Sequence, residues 1–311
     1  MLCSRSEGTL PLPALLAGSR PALLAGLREL MLVHVRACAA VAVLCGGVAS
    51  VDATASTPWA VGVESFASGV GAAPGFDDPN TALGAAERFT GELLGFDSVV
   101  SPFSPAFGTD ELYSIGEGGH LTLRLGEAAV DRPGHAFGVD LILFGNGGLI
   151  DAGFGGGTPG TVGGSFSVND VEFEVSQDGS NFVSLGTVRE GATPAMGYLD
   201  GGRFDTTPGS LLTDQRKAVD PSLTAMDFDG LDLAGVRSLY NGSAGGTGID
   251  ISGSGLSEVW YVRISVPDDL DAMTSLKSEI DAVIVVPGVG TAGVVGLGVA
   301  CGIRRRRVAV G

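Results

Sequence analysis

Apolar and polar residues alternate with a period of two over His120–Leu125 (HLTLRL), Val171–Ser176 (VEFEVS) and Val259–Val266 (VWYVRISV). Successive side chains on a strand point to opposite faces, so this pattern predicts half-buried antiparallel strands. Val139–Phe144 (VDLILF), Phe182–Leu185 (FVSL) and Ile280–Val286 (IDAVIVV) read as further strands, bounded by Gly, Asn, Asp or Pro. Asp178-Gly179 between two of these runs predicts a hairpin, because both residue types tolerate positive φ. Only Ala82–Leu94 carries a weak helical pattern. Many short strands separated by turn residues predict an all-β fold, an antiparallel β-sandwich or jelly roll. Gly145–Gly164 and Glu190–Leu231 read as long loops between strands of one sandwich.

Composition sharpens this picture at the two ends. The four cysteines, Cys3, Cys38, Cys45 and Cys301, all lie in the terminal segments. The body between them holds none, so its stability must come from its core. The full chain of 311 residues has a net charge of −17, and eight of its 18 basic residues are terminal. Residues 56–303 therefore hold ten Lys+Arg against 32 Asp+Glu, a net of −22. Such a body repels phosphates, which excludes nucleic acid as a partner, while its carboxylates suit a hard cation such as calcium.

The end of the chain predicts a membrane segment. After Pro287-Gly288, an apolar, glycine-rich run of 13 residues, Thr291 to Ile303, leads into Arg304, Arg305, Arg306 and Arg307. As a helix that run spans roughly 20 Å, short of a bilayer core, and the arginines would stay on the cytoplasmic side. Near the start, Met31 opens a segment with His34 and Arg36, the apolar run Ala37–Ala49 and an A-x-A site at Ala53-Thr54-Ala55. This reads as a signal helix of ordinary length, with Met31 as the expected start. Residues 1–55 are thus expected to be leader and signal peptide, 56–286 a β-sandwich ectodomain, and 287–311 a sorting and anchor tail.

That tail resembles the PEP-CTERM sorting signal of bacterial surface proteins, although Val286-Pro287-Gly288-Val289 lacks the glutamate and second proline of the family motif. The resemblance implies export, a C-terminal short transmembrane helix and processing by an exosortase-like enzyme. Val171–Phe182 (VEFEVSQDGSNF) is similar to the V-E-V-S-x-D-G-x-x-F hairpin of galactose-binding-like, discoidin-type sandwiches. Trp260–Ile264 and Asp281-Ala282-Val283 resemble two further strands of those domains. Ser101-Pro102-Phe103, Phe107-Gly108, Phe144-Gly145-Asn146 and Gly246–Asp250 also resemble segments of uncharacterised surface proteins with the same kind of tail. The resemblance implies a sandwich fold.

Three chemistries compete for the body. A structural calcium ion is expected on some of Asp77, Asp78 and Asn80, which crowd one loop, and Asp140, Glu172 and Asp281, which lie in or beside strands. A carboxylate buried in a strand needs a compensating partner, and calcium accepts six to eight oxygens. Carbohydrate binding would use exposed aromatics, with Tyr198 and Tyr240 as the candidate contacts because their surroundings are rich in Gly, Asn and Asp. Trp260 is expected in the core beside Val262 and Ile264. Catalysis has little to stand on. Glu172 and Glu174 share a strand face as a glycosidase pair could, but His120 and His135 have no metal-ligand spacing and no G-x-S-x-G elbow is present. The expected role is a non-catalytic, exported cell-surface or extracellular-matrix protein that binds surface or extracellular polysaccharide. The alternative is a jelly-roll polysaccharide hydrolase or lyase.

Overall fold

The computed structural model describes residues 56–268 and 277–288. The expected signal helix, the apolar C-terminal run and Arg304 to Arg307 lie outside these residues. Pro287 lies within them, two positions beyond the last strand. No helix among the described residues is long and apolar enough to cross a membrane.

The fold is mostly β. In chain order the strands are β1 (Ala60–Ala67), β2 (Phe89–Thr90), β3 (Ser98–Val99), β4 (Tyr113–Gly116), β5 (His120–Ala129), β6 (Leu141–Gly145) and β7 (Gly148–Asp151). There follow β8 (Val162–Phe166), β9 (Asn169–Ser176), β10 (Val183–Glu190), β11 (Thr247–Ile249), β12 (Val259–Ser265) and β13 (Lys277–Val285). One sheet has the order β1-β5-β12-β9-β10 and a second the order β11-β6-β13-β4. Every strand pairing in them is antiparallel. The short pairs β2–β3 and β7–β8 stand apart from both sheets.

The alternation read from the sequence is what joins the two sheets. Leu121, Leu123 and Leu125 of β5, Val171, Phe173 and Val175 of β9, and Val262 and Ile264 of β12 are fully buried on one face of the five-stranded sheet. They share a single apolar cluster with Tyr113, Ile115, Leu141, Leu143, Ile280 and Val283 of the four-stranded sheet. The two sheets therefore pack face to face. The four-stranded sheet is also covered on its other side, where Ile142, Phe144, Ala282 and Ile284 pack against Val100, Leu112, Ala195 and Ala244 from loops.

Asp178 and Gly179 form the β9–β10 turn as expected, with Gly179 at φ +76° and the Asp178 carboxylate accepting from the Ser180 and Asn181 amides at 2.8 Å each. Other expectations need correction. Ala82–Leu94 is no continuous helix: it holds the end of a 3-10 turn, the strand β2 and a second 3-10 turn, with glycines Gly84 and Gly91 at positive φ breaking any helical run. Gly145–Gly164 is not a bare loop but carries β7 and the start of β8. Glu190–Leu231 is not all loop, since it holds the short helix α1 (Ala225–Phe228); helix α2 (Leu233–Tyr240) follows it, capped by Asp232, whose carboxylate accepts from the Gly235 amide. Trp260 is half-buried and outside the core. A bulge between Val259 and Tyr261 shifts the alternation, so Val259 joins Val262 and Ile264 on the inner face.

Candidate functional site

The expected calcium ligands do not converge. Asp78 caps a 3-10 turn, its Oδ1 accepting from the Asn80 backbone at 3.0 Å and the Asn80 amide at 2.8 Å, which lowers its pKa. Asp77 precedes the same turn. Glu172 accepts from Ser184 Oγ at 3.0 Å on the β9–β10 surface. Asp140 is buried and takes 2.5 Å from His135 Nδ1 and 3.0 Å from the Ile251 amide. Burial raises its pKa against those two bonds. Asp281 lies on the covered side of the four-stranded sheet, where the Glu87 amide donates to both its oxygens at 3.2 and 3.1 Å. Burial raises the Asp281 pKa well above the carboxylate range. No three His, Cys, Asp or Glu side chains are grouped to hold a metal among the described residues.

The aromatic expectation changes more. Tyr240 is not in a loop and cannot touch a glycan: it ends α2, is 1% exposed and donates from its hydroxyl to the Pro194 carbonyl at 2.7 Å. It packs edge-on against Phe228, with 6.1 Å between ring centroids. The helix, which the sequence pattern did not reveal, turned a residue with polar neighbours inward. Tyr198 is half-buried in an isolated bridge with Leu212. His135, which precedes a 3-10 turn, is buried against Asp140, with no hydrogen-bond partner for its Nε2.

The exposed aromatic rings that do cluster are phenylalanines. The β2–β3 arm folds back through a 3-10 turn (Glu92–Leu94) that ends at Gly95, whose φ of +69° only glycine adopts freely. The Phe96 amide then bonds the Gly91 carbonyl at 3.1 Å, leaving the Phe96 ring 74% exposed at the tip. The segment at 203–206 is clipped beside this arm by Val99 N to the Asp205 carbonyl, 2.7 Å, and Ser101 Oγ to the Arg203 carbonyl, 2.6 Å. That clip presents Phe204, 49% exposed, on the same trough, and Arg203 lies 5.7 Å from the Phe204 ring centroid. The trough measures about 530 Å3 and is open. Phe96, Phe107 and Phe204 line it together with Asp97, Ser98 and Thr206.

Glu111 fixes the trough's base. Its buried carboxylate accepts from the amides of Gly91 at 3.0 Å, Phe107 at 3.1 Å and Gly108 at 2.8 Å, and from Thr90 Oγ1. One side chain thus ties the β2 end to the loop that carries Phe107. Burial, and after it the negative charges of Glu111, Asp110 and Glu92, push Glu87 up to about 7. Of these residues the sequence pattern singled out only Ser101, Phe107 and Gly108, and not Phe96, Phe204 or Glu111. The signal that could have found Phe96 is local: an aromatic directly after a Gly-bounded turn.

A second, more enclosed cleft of about 510 Å3 lies between β10 and the segment before α1, lined by Val188, Arg189, Thr193, Leu223 and Thr247. It presents aliphatic and hydroxyl groups without an aromatic ring. No protein-family model matches the chain, and no curated protein matches it.

Proposed function

We propose that the chain is an exported cell-surface or extracellular-matrix protein whose β-sandwich body, of galactose-binding-like type, binds polysaccharide in the Phe96–Phe204 trough. The observation that carries this reading is the pair of exposed phenylalanine rings lining one open depression with carboxylate and hydroxyl groups at its rim. Sugar rings present apolar C–H faces to aromatics and hydroxyls to polar side chains, and this surface offers both. Binding without hydrolysis fits the lining, since Asp97 is its single carboxylate and glycoside hydrolysis needs two flanking the bond. Export and anchoring rest on the signal-like segment after Met31 and on the apolar run with its four arginines. Processing of that tail by an exosortase-like enzyme rests on its likeness to PEP-CTERM signals.

Affinity electrophoresis of the full chain in gels cast with acidic or neutral polysaccharides tests the binding. Retardation by at least one polysaccharide is the expected result, and unchanged mobility in all of them contradicts the reading. Cell fractionation tests the location, with the chain expected in the envelope or medium.

A further inference from the structure

Glu190, the last residue of β10, is fully buried. Ser278 Oγ donates to its Oε2 at 3.0 Å, while its Oε1 has no hydrogen-bond partner, the only carboxylate oxygen so placed among the described residues. That oxygen rests on the backbone of β6, where a Cβ on Gly145 would overlap it and would come 2.7 Å from the Glu279 carbonyl. The next residue supplies a second orphan: Asn146 Oδ1 is buried without a partner. Asn146 Nδ2 donates to Glu279 Oε2, and its backbone amide donates to the Glu279 carbonyl at 3.2 Å. Lys277 Nζ lies 3.0 Å from the other Glu279 oxygen.

The end of β6, the end of β10 and the start of β13 thus bring two carboxylates, an amide oxygen and a carbonyl oxygen to one place. Two carboxylates sharing a buried site repel each other, and Lys277, on the outer side of Glu279, balances only one. The two unpartnered acceptors, Asn146 Oδ1 and the free Oε1 of Glu190 itself, call for a donor or a positive charge. The acceptor atoms are all hard oxygens, with no imidazole or thiolate among them, and that set selects calcium over zinc or copper.

We propose that Glu190, Asn146 and Glu279 bind one calcium ion, pinning the ends of β10, β6 and β13 together. None of the six acidic and amide residues singled out from the sequence belongs to this site. With only two carboxylates, the ion takes its remaining ligands from neutral oxygens and water, as flexible calcium sites do. The site does not depend on glycan binding in the trough.

The test is a calcium titration of the chelator-stripped full chain, followed by thermal melting and by calorimetry. Calcium is expected to raise the melting midpoint of the wild-type chain. Glu190→Gln, which keeps the shape and removes the charge, and Asn146→Ala are expected to weaken calcium at least about tenfold while the stripped proteins still melt cooperatively. Glu172→Gln, on the exposed face of β9, should titrate like wild type. If Glu190→Gln fails to fold, Asn146→Ala decides alone. A wild-type midpoint that calcium leaves unmoved overturns the proposal. So does a midpoint raised equally by magnesium or sodium, or a calcium response that both site variants retain in full.

Discussion

The outer faces of the two sheets differ in kind. On the five-stranded sheet, Thr122, Arg263 and Glu174 face outward as a polar ladder, with Arg263 Nε 3.1 Å from Thr122 Oγ1 and its Nη1 3.5 Å from Glu174. Arg263 also lies over the Phe182 ring at 3.8 Å. On the four-stranded sheet, the matching positions are Ile142, Phe144, Ala282 and Ile284, all buried beneath loops. One sheet therefore meets water directly, and the other carries a second layer of chain. The trough and its Glu111 tie belong to that added layer. The lesson is that the proposed glycan trough is built by the covering loops, while the open sheet face supplies a solvated wall.

This contrast can be broken at several points, the strongest first. Phe144→Ala under the loops and Phe173→Ala between the sheets should each cost about 3–5 kcal/mol in urea unfolding, because both rings are fully buried. A small loss at Phe144 alone would mean that the loop layer is loosely held. Glu111→Ala should cost about 3 kcal/mol, since it strands the amides of Gly91, Phe107 and Gly108 in a buried place. It should also weaken glycan retention by loosening the floor beneath Phe107.

Glu87 gives a pH signature to the covered side. Its carboxyl is pushed up to about 7 by burial and by Glu111, from an ordinary value of 4.5. The folded state therefore holds its proton more tightly than the unfolded chain does. That contribution is fully present below about pH 4.5 and is lost as pH rises through about 7. Urea midpoints should accordingly fall between these values, and Glu87→Gln should flatten the fall. The buried Asp281, which faces Glu87, shifts the same way and will leave part of the slope. The smallest effect belongs to the open face: Glu174→Ala should change stability by less than about 1 kcal/mol, since the Arg263 pair is partly solvated.

The same contrast explains what was legible in the sequence. β5, β9 and β12 each have one wet face, so HLTLRL, VEFEVS and VWYVRISV alternate and announce themselves. β6 and β13 are wrapped on both sides and read as apolar runs, still visible as strands. The covering layer gave no such signal. Its pieces, β2, β3, β7, β8 and α2, are short, and their order comes from distant ties such as Val99 to Asp205 and Glu111 to Gly91. Tyr240 illustrates the result: polar neighbours made it look exposed, and a helix cap at Asp232 turned it inward. Of the three carboxylates expected in or beside strands, Glu172 stays at the surface, while Asp140 and Asp281 are buried and take protein donors, His135 five residues away and the Glu87 amide from a distant part of the chain. Glu190 was missed because its unpaired oxygen arises only where three strand ends meet.

The most direct measurement is a glycan array comparing the wild-type chain with the Phe96→Ala/Phe204→Ala double variant. Phe66→Ala serves as the control, since that ring is 52% exposed on β1, in the other sheet. Wild type and the control should bind the same glycans, and the double variant should bind them about tenfold or more weakly at unchanged melting temperature. A wild-type chain that captures no glycan, or a double variant that binds as wild type does, would contradict the trough as the binding site.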